Sequence, residues 1–340
     1  MDFTYDGQFL VTSGEDNSVY VYSCEKASRV RHLRCEKYGI ALIRFLHNDR
    51  DCAVAASRNE ADHLLKYWDF HDNKYLRLFR SHTGKVTSVS PHPYEDLFLS
   101  GAEDKCVLLW DLRQDRPVAK INGQGTTVAS FDQQGLVFAA CVGQPKLHLF
   151  DTRNYAKGEF TSFDLRPHLK DPAHSVQFSP CGKYLLLRTP SQMVLIDAFD
   201  GELICEYPVQ EQGPSLPCFS PDSQYVICGM SNGDVCIWGA TNARLVHKLE
   251  GHTALFPACS KALRTLHPAT SVSLTTALLG TKGIAARSKD ATERCPLLHE
   301  SQLIGKSCLA NEVRSGREGV AESVKQSGFC GFCDVDDAQP

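Results

Sequence analysis

Short apolar runs alternate with polar turns along the first 250 or so residues of this chain. The clearest stretch runs from Ser81 to Asp111, SHTGKVTSVSPHPYEDLFLSGAEDKCVLLWD. Three segments of it, Val86–Ser90, Leu97–Ser100 and Val107–Trp110, are apolar and short. A Pro-His-Pro turn separates the first two, and an Ala-Glu-Asp-Lys turn separates the last two. Three strands in about thirty residues, joined by tight polar turns, predict an antiparallel meander. No long segment carries the 3.6-residue apolar period of a helix, which excludes a helical solenoid.

The meander recurs. A large apolar residue closes each repeat, at Tyr22, Trp68, Trp110, Phe150, Ile196 and Trp238, with intervals of 46, 42, 40, 46 and 42 residues. That is the length of a four-stranded propeller blade, about 40–45 residues. A turn recurs in the same phase, as Phe3-Thr4-Tyr5-Asp6-Gly7, Phe131-Asp132-Gln133-Gln134-Gly135, Phe178-Ser179-Pro180-Cys181-Gly182 and Phe219-Ser220-Pro221-Asp222-Ser223. An acid stands six residues before the closing residue at Asp16, Asp62 and Asp104, with Asn232 a near substitute. Gln144 and Pro190 depart from this marker. Ser81-His82 and Trp110-Asp111 resemble the Gly-His and Trp-Asp punctuation of a WD40 repeat. The fold expected is an all-β WD40 β-propeller with six recognisable four-stranded blades of an intended seven, over residues 1–252.

The periodicity stops after Gly251-His252-Thr253. Residues 253–340 carry no Trp-Asp, no Phe-x-Pro-x-Gly turn and no strand alternation, and read as an irregular, disordered tail. The break is sharp, as though the exon or reading frame had changed there. A transcript encoding a regular seventh blade after His252 would support that reading. The strand that would close the ring ahead of Met1 is also missing, so blades one and six are expected to keep open edges, which invite aggregation.

Within the leading meander, His82, Ser100, Asp104 and Trp110 fall where the WD40 family places a hydrogen-bond relay. A carboxylate in a tight turn accepts from an imidazole, which reaches a hydroxyl and an indole N–H. The same Ser, His and Asp could be taken for a hydrolase. Recurrence decides against that, because a catalytic set occurs once whereas Asp16, Asp62 and Asp104 recur at one blade phase.

Composition narrows the setting. The chain has 340 residues, is 42% hydrophobic and 22% charged, and carries a net charge of −4. These are the proportions of an ordinary soluble globular protein, and no specific nucleic-acid binding through the whole surface is expected. The basic run at Arg29, Arg31, Arg34 and Lys37 reads as a solvated outer strand protected by charge rather than a nucleic-acid patch. No run of eighteen apolar residues exists, so no membrane span is expected, and the N-terminus does not read as a secretory signal. Of fifteen cysteines, Cys52, Cys106, Cys141, Cys205, Cys228 and Cys236 sit singly in strand-like runs and read as buried small hydrophobes in a reducing compartment.

Several stretches then resemble one family more sharply than a generic WD40 repeat. They are Lys37-Tyr38-Gly39 with Leu42-Ile43-Arg44, His71-Asp72-Asn73-Lys74-Tyr75, and Phe131-Asp132 with Gly135-Leu136 and Phe138-Ala139-Ala140. Leu195-Ile196-Asp197-Ala198-Phe199 with Gly201, and Phe219 with Pro221-Asp222-Ser223-Gln224, complete the set. The resemblance is to the WD-repeat protein 82 family, the propeller subunits of COMPASS-type histone methyltransferases, and covers about residues 1–252. It implies a nuclear, non-catalytic scaffold whose partners are a SET-domain methyltransferase and other COMPASS subunits, supporting methylation of lysine 4 on histone H3. The alternative it leaves open is a scaffold of a nuclear phosphatase or messenger-RNA 3′-end complex.

The remaining chemistry is sparse. Cys330-Gly331-Phe332-Cys333 has the spacing of half a zinc site, but a closed site needs four ligands and no second pair exists. Phosphate-binding glycine loops are absent, and no acid/base pair can be assembled from turns a whole blade apart. No cofactor and no metal are expected. Partner contact is placed at His71, Asp72, Asn73, Lys74 and Tyr75, and at Arg44, Arg153 and Phe199, because Arg and aromatic residues are favoured at interface centres.

Overall fold

The computed structural model describes residues 1–250, apart from 15, 36–38, 48–50, 59–61, 144–145 and 210–215. These residues form six four-stranded antiparallel sheets, each meandering in chain order. Blade one is Asp2–Phe3, Phe9–Ser13, Ser18–Ser23 and Ser28–Arg34, and blade two is Ile40–Phe45, Cys52–Ser57, Leu65–Asp69 and Lys74–Phe79. Blade three is Val86–Pro91, Leu97–Ala102, Cys106–Asp111 and Pro117–Asn122, and blade four is Thr127–Phe131, Val137–Val142, Lys146–Asp151 and Thr161–Asp164. Blade five is Ser175–Phe178, Tyr184–Arg188, Met193–Asp197 and Leu203–Tyr207, and blade six is Cys218–Phe219, Tyr225–Gly229, Val235–Gly239 and Leu245–Leu249. Each expected strand of the leading meander lies within an observed one, extended by one or two residues.

All six closing residues lie in third strands. In five blades the pairing of third with fourth strand slips by one residue at that position, between Val21 and Tyr22, Tyr67 and Trp68, Leu109 and Trp110, Leu195 and Ile196, and Ile237 and Trp238. A slip of this kind adds local twist, and it recurs beside the closing residue.

The recurring first turn has a physical basis. In four blades the second turn residue turns its side chain back to accept an N–H five residues on. Thr4 accepts from Phe9 at 3.0 Å, Asp132 from Val137 at 3.2 Å, Ser179 from Tyr184 at 3.0 Å and Ser220 from Tyr225 at 2.9 Å. Thr, Asp and Ser are the residues whose short polar side chains do this. The acid marker is likewise turn chemistry. Asp16, Asp104 and Asn232 accept the N–H two residues on, and the residue between adopts the left-handed conformation, at Asn17, Lys105 and Gly233.

The core is a series of layers between neighbouring blades. One layer packs Val11, Val19 and Val21 of blade one against Ile40, Ile43 and Trp68 of blade two. Further layers join blades two to three, three to four, four to five and five to six. Inner strands are also bonded side by side, with Phe45 N–H donating to Asp2 and Phe131 N–H to the Ser90 hydroxyl. In the structure Met1 and Phe3 pack against a small cluster of Cys218, Ile227 and Val235 in blade six. Apolar surface left at the seam is covered by the other blade, because burying it is favourable. The expected seventh blade and the tail, with Cys330 and Cys333, lie outside the described residues.

Candidate functional site

Two arrangements compete for a functional reading: the relay inside blade three and the turns at one end of the propeller. The relay is assembled from three elements. His82 stands between blades two and three, Ser100 is in the second strand of blade three, and Asp104 occupies the turn before the third strand. His82 Nδ1 lies 2.8 Å from Asp104 Oδ2, and its Nε2 lies 2.7 Å from Ser100 Oγ. Trp110 Nε1–H donates to the same hydroxyl oxygen at 2.8 Å. Thr83 N–H and the Cys106 thiol also donate to Asp104, both at 3.0 Å. The network assigns the tautomer: Nδ1–H donates to the carboxylate, and Nε2 accepts from the serine hydroxyl.

The electrostatics agree with a neutral imidazole against an ionised acid. Burial lowers the His82 pKa, partly offset by the Asp104 carboxylate. Burial raises that of Asp104, but hydrogen bonds from Cys106, His82 and Thr83 outweigh it and hold the carboxyl below its ordinary range. Burial and then Asp104 push the Cys106 thiol up to about 12. Nδ1, the carboxylate and Cys106 Sγ lie within 4.8 Å of one another, a ligand-type cluster. Cation binding there would require a thiolate and the other histidine tautomer, both opposed by these hydrogen bonds. Nor does the set suit hydrolysis. Ser100 is wholly buried and its oxygen already holds Trp110.

The other turn acids do not repeat the relay. Asp16 is exposed and accepts from the Tyr20 hydroxyl at 2.7 Å rather than from an imidazole. Asp62 is exposed as well. Among the described residues the complete relay occurs in blade three, although the turn that supports it recurs elsewhere. Of the strand cysteines, Cys205 departs from expectation, being half-buried with its thiol donating to the Ala240 carbonyl.

The partner-contact candidates fall at one end of the propeller. Strands alternate in direction within each blade, and inner strands of neighbouring blades bond in step, as Ser88 with Ala129 and Ser90 with Phe131 join blades three and four at one offset of 41 residues. Blades therefore point the same way, and every first-to-second and third-to-fourth turn lies on one face. His71–Asn73, Arg153 and Phe199 are all in third-to-fourth connections, Lys74 opens the fourth strand that follows, and Arg44 is next to last in an inner strand that ends toward the same face.

They differ in engagement. Phe199 is 92% exposed. His71, Asp72, Lys74 and Arg153 are exposed, and His71 Nδ1 meets Asp72 at 2.7 Å, which raises the histidine pKa. Asn73 instead accepts from Trp68 Nε1–H at 3.2 Å, and Tyr75 Oη lies 3.0 Å from Cys35 Sγ. Arg44 donates to the Met1 and Ile43 carbonyls. These three are built into the blades. Tyr5, Tyr94, Leu136 and Phe160 were not foreseen, yet all are exposed in turns of this same face. Near the ring's inner edge Tyr5, Arg44, His47 and Pro91 line a small cleft. The His47 side chain is 6% exposed, and its Nδ1 has no hydrogen-bond partner among the described residues. Arg31, read only as a surface charge, donates to the carbonyls of Phe70 and His71 and pairs with Asp51, bracing the His71 turn.

Six meandering sheets with turn-phase acids and closing tryptophans define a WD-repeat β-propeller, and the WD domain, G-beta repeat family matches residues 1–23, 73–111 and 216–239. The chain is 37% identical over 255 residues to WD repeat-containing protein 82 of Drosophila melanogaster, covering 74% of this chain and 80% of that protein. It is 31% identical over 252 residues to the Set1 complex component swd2 of Schizosaccharomyces pombe, covering 70% of each. It is 28% identical over 254 residues to the COMPASS component SWD2 of Saccharomyces cerevisiae, covering 72% of this chain and 76% of that protein. The chain belongs to the WD repeat-containing protein 82 and SWD2 family.

Proposed function

We propose that this protein is a non-catalytic scaffold subunit of a nuclear COMPASS-type complex, and that it binds a SET-domain methyltransferase and so supports methylation of lysine 4 on histone H3. The observation that carries this reading is kinship across the propeller with two yeast proteins named as Set1 complex and COMPASS components. Its physical side is the turn face bearing Phe199, Phe160, Tyr94 and Tyr5. Exposed aromatic side chains gathered on one face favour a protein partner. Rigid blades hold those turns in place before the partner arrives, which lowers the ordering cost of capturing an extended segment. A contact of this kind buries on the order of 1,000 Å² or more in total. A buried serine already occupied by an indole supports action by binding rather than by turnover.

The test is affinity purification with mass spectrometry of the partners, alongside depletion of the protein. Recovery of a SET-domain methyltransferase and a fall in histone H3 lysine 4 trimethylation are expected. Recovery of only phosphatase or 3′-end processing factors, with the mark unchanged, would reject the COMPASS assignment.

A further inference from the structure

Lys66 is the second residue of the third strand of blade two and is wholly buried. The residues at the same phase in the other blades are Tyr20, Leu108, His148, Val194 and Cys236. Lys66 Nζ lies 3.9 Å from the Sγ of Cys35, which follows the last strand of blade one and is itself buried. The ammonium also faces the Tyr75 ring at 5.4 Å, and the Tyr75 hydroxyl stands 3.0 Å from the same sulfur. One amine, one thiol and one phenol therefore share a small seat between blades one and two. Tyr75 meets the sulfur with its hydroxyl and the amine with its ring.

We propose that Cys35 and Lys66 form a covalent sulfur–nitrogen crosslink when the protein meets hydrogen peroxide, tying the end of blade one to the third strand of blade two. In the first step the Cys35 thiolate attacks a peroxide oxygen and the O–O bond breaks. The leaving hydroxide takes a proton and departs as water, so sulfur is oxidised to the sulfenic acid and peroxide is reduced. In the second step the Lys66 amine lone pair attacks sulfur and the S–O bond breaks. The departing hydroxide carries off an amine proton as a second water, leaving a sulfenamide. Thiol and amine together lose two hydrogens, and one peroxide yields two waters.

Two features favour this outcome over ordinary cysteine oxidation. A sulfenic acid commonly goes on to a second thiol or to further oxidation, whereas here a nitrogen nucleophile already stands within contact distance. An ordinary lysine is almost wholly ammonium at neutral pH and cannot attack. Burial brings the Lys66 pKa down to about 8, so a useful share is free amine. Peroxide is little larger than water and reaches the seat through local opening of the blade seam. External thiol attacks the sulfur and restores both side chains.

The experiment oxidises the purified full chain with hydrogen peroxide and maps peptides without reduction. The expected product is a Cys35–Lys66 crosslinked pair about 2 Da lighter than the sum of its two peptides. It is uncleaved by trypsin at Lys66 and lost on treatment with dithiothreitol. Dimedone present during oxidation should trap the sulfenic acid and abolish the crosslink in the wild-type chain, a control that needs no variant. Lys66→Arg should leave Cys35 oxidised but unlinked. The proposal is overturned if Cys35 is unmodified or carries only added oxygen, with Lys66 free, at a peroxide dose that oxidises the exposed Cys24. A linked pair heavier by one oxygen would overturn the direct bond.

Discussion

His82 and Asp104, twenty-two residues apart in sequence, meet at 2.8 Å with side chains 0% and 6% exposed. Removing the acceptor strands the imidazole N–H, and a buried unsatisfied polar group costs about 1–3 kcal/mol. Asp104→Ala should therefore lower the melting temperature clearly. Asp104→Asn should be milder, because its amide oxygen still accepts. Equal melting temperatures for wild type and Asp104→Ala would show that the relay contributes nothing.

The same pair sets a pH dependence. The folded His82 pKa lies below its ordinary 6.5, so the unfolded chain binds the proton more readily. Stability from the neutral imidazole is present above that value and is lost as pH falls toward the folded pKa. Asp104 is also depressed, below 3.8, and its contribution is lost at still lower pH. Both act in one direction. His47 and His174 are lowered too, chiefly by burial, so the comparison is with His82→Gln, in which their share cancels. Wild type should lose stability relative to that variant as pH falls below about 6.5, as read by denaturant melts at several pH values. A constant difference across that range would contradict it.

The fold was legible in sequence because its markers are local chemistry. Thr4, Asp132, Ser179 and Ser220 cap their own turns, and Asp16, Asp104 and Asn232 do the same one turn later. A local hydrogen bond leaves a local signature. In blade three His82, Ser100, Asp104 and Trp110 are joined by hydrogen bonds, but a turn acid alone does not say whether an imidazole stands opposite it. Contacts across a blade seam leave no such trace. Lys66 meeting Cys35, Arg31 bracing the His71 turn and Met1 packing on Cys218 each join residues whose sequence separation carries no period. The face shared by Phe199, Phe160 and Tyr5 became visible only when strand direction was known.

Lys66 tests the cost of a buried amine. Its folded pKa of about 8 against an ordinary 10.5 means that the unfolded chain binds the proton more tightly. By linkage, ionisation of this group costs the fold on the order of 3 kcal/mol at neutral pH. Lys66→Met, similar in shape and apolar, should raise stability at pH 7. The advantage should shrink as pH climbs from about 8 through 10.5, above which the wild-type amine is neutral in both states. Destabilisation by Lys66→Met at pH 7 would mean that the Tyr75 and Cys35 contacts outweigh the desolvation.

Phe199 separates binding from folding. At 92% exposure it contributes little to the core, and substitution at such a surface site stays within about 0.5 kcal/mol. Phe199→Asp, alone or with Phe160→Asp, should leave the melting temperature unchanged while reducing capture of the methyltransferase partner. A double variant that captures the partner as well as wild type would remove the aromatic turns from the interface.

The segment from His71 to Tyr75 divides in the same way, residue by residue. Asn73 is left-handed at φ 52°, and its side chain accepts from Trp68, whose indole is 1% exposed. Asn73→Ala loses that bond and strains a left-handed residue at about 1–2 kcal/mol, whereas Asn73→Gly loses the bond alone. The alanine variant should therefore melt below the glycine variant, and both below wild type. His71 and Asp72 pair with each other in solvent, over a turn that Arg31 holds from beneath. Replacing both with alanine should leave the turn and the melting temperature intact, so any loss of partner capture would report direct contact. If the double variant binds normally while Asn73→Ala binds poorly, the segment acts through the shape of blade two and not through its exposed side chains.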